Sequence, residues 1–219
     1  MSQPFAVVRT GLLHVPKMDI AAGEAVSRTL SAALPRVVIL QEKYAASDRR
    51  WLEDTLCRWC DEDELDLLLT IGGTLPASGP SGKEIVPEAT EAVVERLVPG
   101  LAEAMRAYVR EEYAAVSLHR GLAGIRGRTL IVNLPGGAAA APLFLEGILE
   151  ELPYVLAHLR EDAGAVTLEQ VIGQEVAEDA EEPSEAEIPP QTPSQKPGGK
   201  GLNAEDFAAF LRRGKSGGE

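Results

Sequence analysis

Two places in the sequence carry a pattern that chemistry can use. In Thr70-Ile71-Gly72-Gly73-Thr74 an apolar run ends in a glycine pair and a hydroxyl, and in Asn133-Leu134-Pro135-Gly136-Gly137 a second apolar run ends in a proline and two glycines. Glycine lets the backbone come close to a ligand, and amides left open at such a turn hold phosphate. One glycine pair after a strand is often only a tight turn. Two of them at carboxyl ends of strands in one sheet point to a shared crevice for a nucleotide-like ligand. Thr70, Gly72, Gly73 and Thr74 then hold the ligand phosphate from one side, and Asn133, Pro135, Gly136 and Gly137 form the opposite wall.

The elements needed to position those turns are legible up to about residue 160. Runs 5–10, 36–41, 65–70 and 129–134 are short and nearly all apolar, which predicts strands covered on both faces and hence a parallel sheet. Segments 23–34, 48–61 and 87–98 have helical period, and 143–160 supplies another helix after the last strand. In 48–61, Leu52, Leu56 and Trp59 share one face, and Asp48 stands where an N-cap belongs. Pro87 and Glu88 suit the first turn of the next helix. This alternation predicts an α/β three-layer sandwich on a mostly parallel sheet, filling residues 1–160.

Composition bounds the function. The chain has 219 residues, 45% hydrophobic and 25% charged, which is ordinary globular usage, and no apolar run reaches the roughly 18 residues that span a bilayer. The start of the chain lacks a secretory pattern, so the cytoplasm is the expected compartment. The net charge of -13 is concentrated late, with 13 acids against 5 bases in residues 161–219. An acidic body with a more acidic tail repels phosphate backbones, which disfavours general nucleic-acid binding and leaves room for a local phosphate pocket. Residues 161–200 read as an acidic, proline-rich linker that cannot bury enough apolar surface to order itself, except for a capping box at Thr167 and Gln170. Residues 201–214 read as a short amphipathic helix, capped by Asn203, stopped by Gly214 and striped by Phe207, Phe210 and Leu211; its length implies docking on the body or on a partner protein. Cys57 and Cys60 lie within a helical pattern, with no second pair for zinc, and read as inert thiols. Trp51 and Trp59 read as core or oligomer contacts.

The same residues carry a family resemblance. Residues 66–74, Pro87-Glu88-Ala89-Thr90, Pro99 to Arg106, Arg120 to Gly127 and 130–136 resemble, in order, blocks of the molybdopterin adenylyltransferase family, the molybdenum-cofactor-biosynthesis domain of the Mog and MoaB type. The resemblance implies a three-layer α/β domain that binds molybdopterin and ATP at the glycine loops, uses magnesium, and transfers AMP to the pterin's phosphate as a nucleotidyltransferase. It implies a homotrimer or homohexamer. It also implies two acids at the crevice, which fall here on Asp48 and Glu84 as catalytic residues and magnesium ligands. The plain alternatives are a helix cap for Asp48 and a solvated loop acid for Glu84.

The departures from the family pattern are specific. Leu75 replaces the last glycine of a Gly-Gly-Thr-Gly loop, the loop that follows is longer, and Glu84 replaces an aspartate. His119-Arg120 stands for Ser-Arg, and Gly137-Ala138-Ala139 removes a lysine that would neutralise phosphate, unless Arg120 or Lys83 substitutes. A non-catalytic molybdopterin-binding or scaffold protein is therefore the alternative to the enzyme.

Overall fold

The computed structural model describes residues 7–34, 36–76, 84–110 and 113–161, with Gln170 and Gly173. The chain builds β1 (Val8–His14), α1 (Ile20–Ala33), β2 (Val37–Tyr44), α2 (Arg49–Asp61) and β3 (Leu67–Ile71), then α3 (Val86–Val93), β4 (Arg96–Leu97) and α4 (Pro99–Arg110). A 3-10 turn at Ala114–Leu118 leads to β5 (Ala123–Arg126), β6 (Thr129–Leu134), α5 (Ala140–Glu146) and α6 (Leu152–Leu159). The strands form one six-stranded sheet in the order β2-β1-β3-β6-β5-β4. The first four of these are mutually parallel, while β5 runs antiparallel to both β6 and β4. The expected α/β sandwich on a mostly parallel sheet is therefore the observed one.

Side chains of successive strand residues point to opposite faces, so a strand that is apolar throughout needs a cover on each side. Leu67, Leu69, Leu130 and Val132 enter a core beneath α1, α4, α5 and α6. Leu68, Leu13 and Ile131 enter a second core beneath α2 and α3, with Trp59 fully buried at its centre. The Arg126 guanidinium fastens this second layer. It donates to both oxygens of Asp61 on α2 and to the carbonyl of Val93 on α3.

Several element boundaries differ from the sequence expectation. β1 runs on to His14 instead of ending at Thr10, because Gly11 sits inside it: a Cβ there would lie 2.6 Å from Leu65 and 2.9 Å from Trp59. The glycine marks close packing and a register shift in the strand, rather than its end. The helix expected at 87–98 stops at Val93, and Arg96 and Leu97 join the sheet instead as its edge strand. Segment 143–160 is two helices, α5 and α6, and not one. Finally, α4 and β5 were not anticipated. The segments 162–169 and 201–214, with the capping box at Thr167 and the amphipathic helix, lie outside the described residues, as does Lys83.

Candidate functional site

The register of the sheet assembles the site. Ile71, the last residue of β3, pairs with His14 on one side and Leu134 on the other, so β1, β3 and β6 end level and their following loops lie abreast. Val15 N–H donates to the Ile71 carbonyl at 2.9 Å, and Gly72 N–H to the Leu134 carbonyl at 3.0 Å. Gly72 and Gly73 have φ of 96° and 67°, a region that favours glycine. A Cβ on Gly72 would stand 2.1 Å from the Val15 carbonyl oxygen, and one on Gly136 would stand 3.4 Å from the Cα of Gly72. The two glycine turns are thus in backbone contact at one rim.

A third loop joins them through a residue that the sequence reading missed. Asp19 caps α1, its Oδ1 accepting from Ala22 N–H at 3.1 Å, and its Oδ2 accepts from Gly137 N–H at 3.2 Å. Its one signal in the sequence was its place just before a helical segment, hidden because β1 was expected to end earlier.

Below the turns lies a closed polar knot. Asn133 Nδ2 donates to Thr70 Oγ1 at 3.0 Å and to Thr90 Oγ1 at 2.9 Å, while Asn133 Oδ1 accepts from Leu122 N–H at 3.3 Å. All three side chains are fully buried. With both amide hydrogens and the amide oxygen engaged, Asn133 ties β3, β6, α3 and the segment before β5 together. Arg120 N–H donates to the Thr74 carbonyl at 2.9 Å, joining that segment to the first glycine turn.

The two acids lie on loops at this same rim, after β2 and β3. Asp48 is exposed and caps α2, its Oδ1 accepting from Trp51 N–H at 2.8 Å. Glu84 stands beside Arg120, whose Nη1 is 3.9 Å from Glu84 Oε1 and donates to the Glu84 carbonyl, while Nη2 pairs with Glu88. The structure thus brings Glu84, Arg120 and Thr74 together and records no contact between Asp48 and any of them. Among the described residues no group of three or more His, Cys, Asp or Glu is placed to hold a metal ion. Leu75 turns its side chain outward, half exposed, and Ala138 and Ala139 leave the second turn without a cation.

Next to Arg120, His119 is buried with neither ring nitrogen partnered among the described residues, and its ring rests 4.5 Å from that of Phe144. Burial, and secondarily the charge of Arg106, push its pKa down to about 4, so the imidazole is neutral at ordinary pH. Arg106 Nη1 donates to the Gly121 carbonyl at 3.1 Å. Beside these residues a cleft of ≈ 340 Å³ opens between α3, α4 and the segment leading into β5. Elsewhere, burial pushes the Cys60 thiol up to about 12 and raises that of Cys57, which leaves both poor nucleophiles. No helix among the described residues is long and apolar enough to cross a membrane.

A mostly parallel sheet whose strands end level, with glycine turns touching at the carboxyl rim, defines an α/β domain with its crevice where such folds take ligands. Residues 25–157 match the family described as "Probable molybdopterin binding domain", and the chain belongs to that family. Among known proteins, a molybdopterin adenylyltransferase of Helicobacter pylori is 36% identical over 133 residues, covering 61% of this chain and 73% of that one. One of Escherichia coli is 34% identical over 134 residues, 61% of this chain and 67% of its own. The crystal structure of the molybdopterin biosynthesis enzyme MoaB from Thermus thermophilus superposes with a TM-score of 0.63 at 34% identity, over 70% of this chain and 96% of that chain.

Proposed function

We propose that the protein acts in molybdenum cofactor biosynthesis, taking molybdopterin and ATP as substrates and transferring AMP to the pterin's phosphate. The observation that carries this reading is the backbone contact between the turns at Gly72 and Gly136, supported by relatives named molybdopterin adenylyltransferase. A phosphate oxygen of the pterin forms a bond to the α-phosphorus of ATP as the bond to the β-phosphate oxygen breaks, and pyrophosphate leaves. Charge builds on the transferring phosphorus, and the backbone amides of Gly73, Thr74 and Gly136 are suited to offset it, while that of Gly72 is engaged by the Leu134 carbonyl. Thr70 and Asn133 act in this scheme by positioning the strand ends, since neither side chain has exposed surface.

The acids suit magnesium carried in by a nucleotide, which needs only one or two protein carboxylates beside phosphates and waters. They do not suit a dedicated metal cage. Asp48, which caps its helix through Oδ1 alone, and Glu84 would hold the ion, whose chemistry there is the neutralisation of phosphate charge. Arg120, whose backbone N–H meets the Thr74 carbonyl, is already paired with Glu84 and Glu88. That pairing, with the uncharged Ala138 and Ala139, is what favours the second reading, a non-catalytic pterin-binding scaffold.

Full-length protein given molybdopterin and Mg-ATP should release pyrophosphate, and Asp48→Ala or Glu84→Ala should lower the rate roughly a hundredfold. Binding of both substrates without release would decide for the scaffold. The reaction would run in the cytoplasm in a homotrimer or homohexamer, which sedimentation would resolve. Removal of residues 200–219 should leave turnover intact and abolish capture of any partner that segment 201–214 recruits.

A further inference from the structure

The loop between β1 and α1 is tied to both glycine turns. At its start the Val15 carbonyl oxygen lies so close to Gly72 that a Cβ there would stand 2.1 Å away, and at its end Asp19 Oδ2 accepts from Gly137 N–H at 3.2 Å. Lys17 stands midway, two residues from Val15 and two from Asp19. Two residues of chain span at most about 7 Å. Lysine adds a flexible four-carbon stem to that reach, so its ammonium can be brought to either turn. Lys17 is exposed and makes no hydrogen bond or ion pair among the described residues.

The other cations at this rim are engaged or too far away. Arg120 is paired with Glu84 and Glu88, Arg49 with Glu53, and Lys43 lies over the ring of Trp59. Arg50 stands in the first turn of α2, after β2, and β2 is three strands from β6 in the sheet. At the usual spacing of neighbouring strands that is roughly 14 Å from the second turn. The second turn is also where a cation is most needed. Asp19 holds a carboxylate against Gly137 N–H, and Ala138 and Ala139 carry no charge. A phosphate entering there meets like charge, which a nearby ammonium offsets.

We infer that Lys17 neutralises a phosphate group lodged between the two glycine turns, its ammonium donating to the phosphate oxygens beside Asp19. The inference rests on the adenylyl-transfer reading and adds to it the cation that the second turn lacks. A phosphate of ATP and the phosphate of the pterin share this chemistry, and the experiment separates them.

Three full-length variants are compared with the parent: Lys17→Gln, Lys17→Arg, and Arg58→Gln, which removes an equal charge from the last turn of α2, just before β3 begins. Each is titrated separately with Mg-ATP and with molybdopterin by calorimetry. Lys17→Gln should weaken about tenfold or more the ligand whose phosphate sits between the turns, and so show which one it is. Lys17→Arg should keep most of that affinity, because both side chains donate to phosphate from a positive charge. Arg58→Gln should bind like the parent. Added salt should weaken the affected ligand more steeply in the parent than in Lys17→Gln. The denaturant midpoint should not move in Lys17→Gln, since the residue is exposed and without a partner among the described residues. Unchanged affinity for both ligands in Lys17→Gln, a loss that Lys17→Arg shares in full, or an equal loss in Arg58→Gln would overturn the assignment.

Failure of Lys17 and failure of the adenylyl-transfer reading give different results. Pyrophosphate release with an unchanged KM for both substrates in Lys17→Gln removes Lys17 and leaves the reaction standing. Binding that depends on the charge at residue 17, in a protein that releases no pyrophosphate, removes the reaction and leaves Lys17 as the phosphate anchor.

Discussion

The turns after β3 and β6 are alike in sequence, each a glycine pair closing a buried strand, yet the space around them differs. At Gly72 and Gly73 a Cβ would run into the Val15 carbonyl at 2.1 Å and the Val86 side chain at 2.7 Å, whereas at Gly137 it would meet nothing within 4 Å. The same division extends outward. On the β3 side the backbone of three loops fills the rim. On the β6 side stand Gly137, the ring of His119, whose nitrogens have no hydrogen-bond partner among the described residues, and the cleft with Arg106. Packing without voids holds elements in place, and the bulk of a ligand needs the opposite, so the filled half is suited to positioning and the open half to giving a ligand room.

The sharpest way to break this contrast is Gly72→Ala. A left-handed φ and a backbone overlap together should cost about 4 kcal/mol, read as a large fall in the denaturant midpoint. A stability close to the parent protein would mean that the turn shifts freely and that the halves do not differ.

His119 tests the open half through pH. In the folded protein its pKa is pushed down to about 4, against an ordinary 6.5 in the unfolded chain. The unfolded state therefore takes up the proton first as pH falls. The contribution of the neutral ring is complete above 6.5 and is lost progressively towards pH 4, by roughly 3 kcal/mol. Unfolding free energy measured across that window should show the slope, and His119→Gln should remove it. An unchanged slope would assign the pH dependence to other groups. The smallest effect belongs to Gly137→Ala, which should cost about 1 kcal/mol for its positive φ alone. A loss as large as that of Gly72→Ala would put both turns in the same class.

The long buried strands were readable because their composition does not depend on neighbours. β3 and β6 fall within two residues of their expected bounds, and Asp48 caps α2 as its position implied. What escaped was decided by packing between distant segments. Gly11 looks like a strand end in sequence, yet Trp59 and Leu65 make it a strand interior. β4 has only Arg96 and Leu97, too short to show a period, and exists because Ile125 and Gly124 of β5 pair with it. Asp19 reached the site only once β1 had been extended to His14. The Thr70–Asn133–Thr90 knot joins residues whose polar side chains look like ligand contacts when read one at a time.

By itself the sequence determined that two glycine turns would close two buried strands, because an unbroken apolar run must be covered on both faces and glycine must follow where the backbone turns left-handed. Tertiary structure alone decided that the turns touch, through the pairing of Ile71 with Leu134. It also decided that Glu91 of α3 and Arg106 of α4 face one cleft. Chain spacing carries no information about which side chains will share a cavity; the register of the sheet and the packing of its covering helices set that distance.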